Sequence, residues 1–195
     1  MDNNYTDAKK EIIVLGSQDL TISIQKVKSN LPKYWDRDFI NRIIDSIKNN
    51  QHQMLLRFLW MSGVRITEAV CLRKKDIDLE NYTMTVRWLK SRKYNFRVVP
   101  LHPNLRNLLQ VYTAAIKSDD KVFPITRQRA WQLTKKYFNG HPHQLRHSFA
   151  VNWLRCNGDL VILHKVLGHS KIQTTMQYLE IVPIDQGKEL IKIQF

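Results

Sequence analysis

From Asp36 onward, apolar residues recur as Phe39, Ile40, Ile43, Ile44 and Ile47, the stripe of an amphipathic helix. A second helical stretch over about 51–62 turns Met54, Leu55, Phe58 and Leu59 inward and stops at Gly63. Thr67 and Glu68 open a short third helix through Leu72. Between residues 82 and 101 the period changes to two. The stretch beginning at Tyr82 alternates, Ser91 to Asn95 turns, and the stretch from Phe96 to Leu101 returns, which predicts a β-hairpin with a basic tip. Pro103 starts a helix to about Lys117, and Thr126 caps another to about Phe138. The stretch from His141 to Tyr178 predicts three short helices. Pro142 suits a first turn, Asn157-Gly158 a stop, Asp159 an N-cap and Gly168 a second stop; Lys171 to Glu180 forms the last run. The expected architecture is mostly α with a small antiparallel β-sheet, an α+β body over residues 31–180.

The two ends read differently. Residues 1–30 are polar apart from Ile12 to Leu15, a candidate short strand, and predict an arm rather than a domain. Residues 181–195 hold Pro183, Gly187 and the alternating run Leu190 to Phe195. They read as a tail that either docks on a neighbouring copy or closes the domain's own sheet.

Charge sharpens the picture. The 195 residues carry 31 Lys+Arg against 17 Asp+Glu, a net charge of +14, which calls for a polyanionic partner. No apolar run approaches the about 20 residues of a spanning helix, and no basic amphipathic segment stands out as a membrane anchor. The opening MDNNYTDAKK lacks the basic and apolar regions of a secretion signal. A cytoplasmic protein is expected, with Cys71 and Cys156 as reduced, buried thiols.

Titratable residues gather where the predicted helices start and stop. His143 and Arg146 share a helix face, His169 follows Gly168, Tyr178 lies nine residues beyond it, and Arg65 follows Gly63 closely. Imidazoles, guanidiniums and a phenol suit phosphate-ester chemistry better than acyl or hydride transfer. A phenol with a pKa near 10 needs a base and a positive field to become a nucleophile. Each residue also has a plainer reading: Arg65 paired with Glu68, and Tyr178 a core tyrosine with a satisfied hydroxyl. His143 and His147 have the i, i+4 spacing of a zinc pair, but no acidic or cysteine ligand joins them, so neither metal nor cofactor is expected. His147 is expected to pack or hydrogen-bond inside the helix bundle, and His52, His102 and His164 look incidental. Arg87, Lys90, Arg92, Lys93 and Arg97 crowd the hairpin and suit phosphate contacts without sequence preference.

The segments SGVRITEAVCL (62–72), HPHQLRHSFA (141–150) and LGHSKIQTTMQY (167–178), with the basic hairpin between them, resemble the tyrosine recombinase (phage integrase) family. The resemblance covers about residues 31–180 and implies the fold of the recombinase catalytic domain. It implies a site-specific recombinase in which Tyr178 attacks a DNA phosphodiester, leaving a 3′-phosphotyrosyl link and a 5′-hydroxyl. Arg65 and Arg146 hold the non-bridging oxygens, His143 accepts the phenolic proton, and His169 donates to the phosphate. A hairpin lysine protonates the leaving oxygen. The family's hairpin tip commonly reads Gly-Lys-Gly-x-Lys-x-Arg; here both glycines are missing, so Lys90 is the first choice and Lys93 the alternative. Glu68 orients Arg65. The partners implied are double-stranded DNA and further copies of the chain in a tetrameric synapse, with room for accessory DNA-bending proteins. Thirty polar residues do not make the helical domain that faces the catalytic domain in full-length members. The chain is therefore expected to be a minimal recombinase, to work with help, or to be a catalytic-domain piece. Two other functions share the fold: a DNA-binding regulator without turnover, which the intact residue set disfavours, and a topoisomerase-like relaxer.

Overall fold

In the computed structural model, residues 31–90 and 93–182 are described, with backbone alone for 88–90 and 93–94. The expected N-terminal arm and the tail beyond Val182 lie outside the described residues. Helix α1 (Arg37–Asp45) lays Ile40 and Ile44 into the core, as its stripe predicts. Helix α2 (Asn50–Ser62) runs through the middle. The Asn49 side chain caps it by accepting the His52 amide at 2.9 Å, and Gly63, at φ 64°, ends it. Met54, Leu55, Leu56, Phe58, Leu59 and Trp60 are all buried, so α2 is covered on nearly every side. Helix α3 (Ile66–Ala69) starts earlier than Thr67 because the Glu68 carboxylate accepts the Arg65 amide at 2.8 Å, which makes Arg65 the cap.

Strands β1 (Ile77–Asp78), β2 (Thr83–Lys90) and β3 (Lys93–Pro100) form an antiparallel sheet in that order. Met84, Val86 and Val99 face the core, while Phe96 and Val98 stand exposed on the other face. Lys90 pairs with Lys93, so two residues separate the strands where the sequence suggested a five-residue turn. Backbone ladder bonds carry the pairing further than side-chain alternation reads. The two-residue β1 is too short to show a period at all.

Helix α4 (Pro103–Tyr112) ends before the expected Lys117, where the Thr113 hydroxyl bonds to the Leu109 carbonyl at 2.7 Å. Helix α5 (Arg127–Phe138) begins under its Thr126 cap and stops at Asn139, at φ 51°. Helix α6 (Pro142–Arg155) divides two apolar clusters. Its Leu145 belongs to the main core, and its Ala150 and Val151 join Leu163, Leu167 and Tyr178 in a smaller one. The Trp35 amide donates to Ser148 Oγ at 2.8 Å and ties the start of the body to α6. Helix α7 (Leu160–Leu167) is capped by Asp159 and ended by Gly168, at φ 63°. The last run is divided, α8 (Gln173–Met176) tightening into a 3₁₀ turn over Gln177–Glu180.

Both cysteines are exposed, against expectation. Cys71 follows α3 and Cys156 caps α6, so each sits just past a helix end, where the buried stripe no longer continues. Among the described residues no helix is long and apolar enough to cross a membrane.

Gly63 is the most demanding turn. A Cβ there would lie 2.3 Å from Phe149 Cδ1, on a backbone already left-handed. Gly63→Ala is expected to cost at least about 1–2 kcal/mol and to lower the melting temperature by roughly 2–8 °C. A thermal melt that does not move would refute this.

Candidate active site

The last turn of a helix leaves carbonyls without intrahelical partners, and the helix dipole makes that end negative. At the end of α7 three successive carbonyls are each taken by an arginine from elsewhere in the chain. Arg97 Nε donates to the Val166 carbonyl at 2.9 Å, Arg146 Nη2 to Leu167 at 2.6 Å, and Arg65 Nη2 to Gly168 at 3.1 Å. These arginines come from β3, α6 and the cap of α3, so a single helix end gathers three distant elements.

Glu68 supports the cluster from beneath. Its side chain is fully buried and receives both Arg97 terminal nitrogens at 2.7 Å and Arg65 Nη1 at 3.0 Å. Burial pushes its carboxyl upward, but the hydrogen bonds and charge of Arg97, then the Arg65 amide and charge, outweigh it and hold the group below its ordinary value. Glu68 thus stays ionised and orients Arg65 and Arg97 together.

Arg146 differs from both. It is 4% exposed, its Nη1 donates to the Gly63 carbonyl at 2.7 Å, and among the described residues it has no carboxylate at ion-pair distance. Burial first, then the charge of Arg65, lowers its pKa to about 9, so it remains a cation at neutral pH with little to neutralise it.

The histidines follow. His143 stands at the surface of the α6 first turn. Loss of solvent on the packed side of its ring, followed by the charge of Arg146, lowers its pKa. His169, half-buried, bonds through Nδ1 to Thr175 Oγ1 at 2.8 Å. Burial and then Arg146 and Arg65 lower its pKa to about 3. His147 is lowered to about 4 by burial, then by His143 and Arg146. The structure gives His147 a specific role: its Nδ1 lies 2.7 Å from the Tyr178 hydroxyl. Tyr178 is fully buried and its pKa is pushed up to about 12 by burial, against the opposing charge of Arg146. The contact therefore joins a protonated phenol to a neutral imidazole.

A groove of about 1210 Å³ opens beside this cluster. Arg65, Arg73, Arg87, Arg97, Lys121, Lys165 and His169 line it, and among its described lining residues there is no carboxylate. His143 and Tyr178 do not line it. Arg87 is shared with Asp76 and lies over the Phe96 ring. Arg97, grouped by sequence with the phosphate-binding run, directs its guanidinium inward to Glu68 and Val166. Lys90, Arg92 and Lys93 have side chains outside the described residues. Sequence reading passed over Arg73, Lys121 and Lys165, which reach the groove from separate segments and form no local motif. It also passed over Thr175, whose signal, a Thr-Thr pair shortly before Tyr178, was present but unread. The expected Arg65, Arg146 and His169 meet at the end of α7. His147, expected to pack or hydrogen-bond inside the bundle, does so with the Tyr178 hydroxyl, one helical turn along from His143.

Residues 33–183 match the model of the phage integrase family. The chain is 29% identical over 182 residues to the tyrosine recombinase XerA of Pyrococcus horikoshii, spanning 86% of this chain and 63% of that one. It is 30% identical over 174 residues to XerA of Saccharolobus solfataricus, spanning 87% and 59%. The chain thus spans about three fifths of the length of these curated relatives. The fold is similar to a crystal structure of XerA recombinase, with TM-score 0.67 at 22% identity over 87% of this chain and 67% of that one. It is similar to the catalytic domain of bacteriophage HP1 integrase, with TM-score 0.64 at 22% identity over 82% and 94%. A third likeness is to the Tn1549 transposon integrase in complex with transposon right end DNA, with TM-score 0.57 at 19% identity over 80% and 62%.

Two titrations set the acid stability. Below the ordinary histidine value of 6.5 the unfolded chain takes up protons that His143, His147 and His169 refuse when folded, so stability falls as pH drops. Glu68, lowered from 4.5, adds a further loss as pH falls through its folded value. Urea unfolding between pH 7 and 4 should show this decline. Glu68→Gln should cost about 3 kcal/mol at pH 7 and remove the acid-most part of the decline. Flat stability between pH 7 and 5 would contradict the histidine part.

Proposed function

Because the chain belongs to the phage integrase family, we propose that it cleaves and rejoins double-stranded DNA at a specific site through a covalent bond between Tyr178 and a DNA phosphate. The observation that carries this is Arg146: a buried guanidinium, still charged, without a carboxylate partner among the described residues, packed beside Arg65, which lines a basic groove with no carboxylate among its described lining residues. A desolvated cation of this kind gains from an anion at the groove wall, and a phosphodiester is the anion that a groove of this charge attracts.

In the reaction, Arg65 and Arg146 hold the non-bridging oxygens and neutralise the charge that builds in the pentacoordinate phosphorus. Neutral His169 donates to the same phosphate. The Tyr178 oxygen bonds to phosphorus as the 5′-oxygen leaves. The phenolic proton passes to His143, which its lowered pKa keeps available as a base. The leaving 5′-oxygen takes its proton from Lys90, with Lys93 the alternative. Before attack, Tyr178 exchanges its bond to His147 for the phosphate. The reverse attack of a 5′-hydroxyl restores the DNA, so the phosphotyrosyl link conserves the bond and no nucleotide is consumed. The Tn1549 integrase structure is a complex with DNA, which supports a duplex as the partner here. Four active sites, and so four copies in a synapse, are needed for a full strand exchange, with accessory DNA-bending proteins where the synapse requires them.

A pool of nicked duplexes with randomised arms tests the nucleophile. Cleavage releases a short 5′-hydroxyl fragment that cannot return, so the chain should be trapped on selected DNA in a protease-sensitive adduct mapping to Tyr178. Tyr178→Phe should abolish the adduct and keep DNA binding. An adduct that persists in this variant defeats the assignment.

The lysine has its own test. Lys90→Ala should slow cleavage of ordinary DNA by at least about 100-fold and regain speed on a 5′-phosphorothiolate bridge, whose sulfur leaves without a proton. Rescue that follows Lys93→Ala instead moves the role to Lys93.

A further inference from the structure

Thr175 is fully buried, and its single hydroxyl meets two imidazoles: His169 Nδ1 at 2.8 Å and His164 Nδ1 at 3.2 Å. These two rings are the side-chain partners of Oγ1 among the described residues, and a buried hydroxyl proton is normally donated to a neighbour. It does not back-bond to its own helix, as the hydroxyls of Thr113 and Thr134 do, which bond to the Leu109 and Ala130 carbonyls. One of the two rings must therefore accept it.

The two contacts differ in length, and the shorter is the better placed to carry the hydroxyl proton. The 2.8 Å contact fits the Thr175 hydroxyl donating to His169 Nδ1, and the 3.2 Å contact fits a His164 Nδ1–H donating to Thr175 Oγ1. With Nδ1 filled, the proton of a neutral His169 ring is on Nε2. That nitrogen has no hydrogen-bond partner among the described residues, and His169 lines the basic groove.

We propose that Thr175 is a positioning residue that locks His169 in the Nε2–H tautomer, so that the ring presents a hydrogen-bond donor, not an acceptor, to a phosphate in the groove. The proposal rests on the strand-cleavage reading only for its catalytic consequence. Burial, and then the charges of Arg146 and Arg65, keep His169 neutral, so its charge does not supply the donor and its tautomer has to. The wrong tautomer would aim a lone pair at an anion. Thr175 stands on α8, in the segment that continues to Tyr178, so the hydroxyl is supplied only while that segment is seated.

Long-range proton–nitrogen correlation spectra of the DNA-free chain read the tautomer directly. His169 should show a bare Nδ1 and a protonated Nε2. Thr175→Val, which keeps the shape and removes the hydroxyl, should turn it into a tautomer mixture, and Thr175→Ser should restore the single form. A protonated Nδ1 in the wild-type chain overturns the proposal. On nicked duplex selected from the randomised pool, Thr175→Val should slow adduct formation by about tenfold with unchanged DNA affinity, and Thr175→Ser should recover the rate. In a His169→Ala background Thr175→Val should add nothing. An equal loss in that background, or no recovery with serine, means that Thr175 acts only through packing and refutes the positioning role. If the wild-type chain yields no adduct from the pool while His169 keeps its Nε2–H form, the strand-cleavage reading fails and the control of the His169 tautomer stands.

Discussion

The end of helix α7 is the constraint on which the site depends. Three consecutive carbonyls, those of Val166, Leu167 and Gly168, point where the helix can no longer bond them, and Arg97, Arg146 and Arg65 each take one. Three positive charges do not gather without compensation. Part comes from the negative end of the helix dipole, and more comes from the buried Glu68 carboxylate. The compensation is incomplete at Arg146, which has no carboxylate at ion-pair distance among the described residues. Had each arginine its own carboxylate, the cluster would be better neutralised.

Helix α6 carries the same logic into the packing. One face joins the main core through Leu145, the other builds the small cluster around Tyr178, and the edge between them bears His143, Arg146 and His147. A polar edge between two apolar faces holds its side chains rigidly, which suits a site whose charges must already be oriented when charge develops. Seating Tyr178 in the small cluster opposes its ionisation. Burial raises the phenol's pKa and the bond to His147 occupies its hydroxyl, so the seated phenol stays protonated.

Sequence and structure agree most closely where signals are local. The Asn157-Gly158 and Gly168 stops, the Asp159 and Thr126 caps and the stripe of α1 each act within a few residues, so each could be read directly from the chain. They diverge where an ending depends on something distant. Helix α4 stops early at Thr113, and the hairpin strands pair through to Lys90 and Lys93 because a ladder needs only backbone groups. Both cysteines continue an apolar-looking run in sequence, yet each falls within two residues past a helix end and faces solvent.

For the site, the residue types and their order along the chain were legible: two arginines, the histidines and a late tyrosine suit phosphate-ester chemistry better than acyl or hydride transfer. Which of them touch was not. The Glu68–Arg65 pair lies within one helical turn and was visible, whereas Glu68–Arg97, Arg146–Leu167 and His147–Tyr178 join residues from separate elements. Spacing along a helix places His143 and His147 equally well for Tyr178. Only the depth at which the last segment packs against α6 decided for His147. By itself the sequence determined the elements, the charge and the chemical repertoire, since these depend on neighbours along the chain. The tertiary structure alone decided which cation is paired with a carboxylate, which is buried without one among the described residues, and which imidazole meets the phenol, because hydrogen bonds and desolvation depend on neighbours in space.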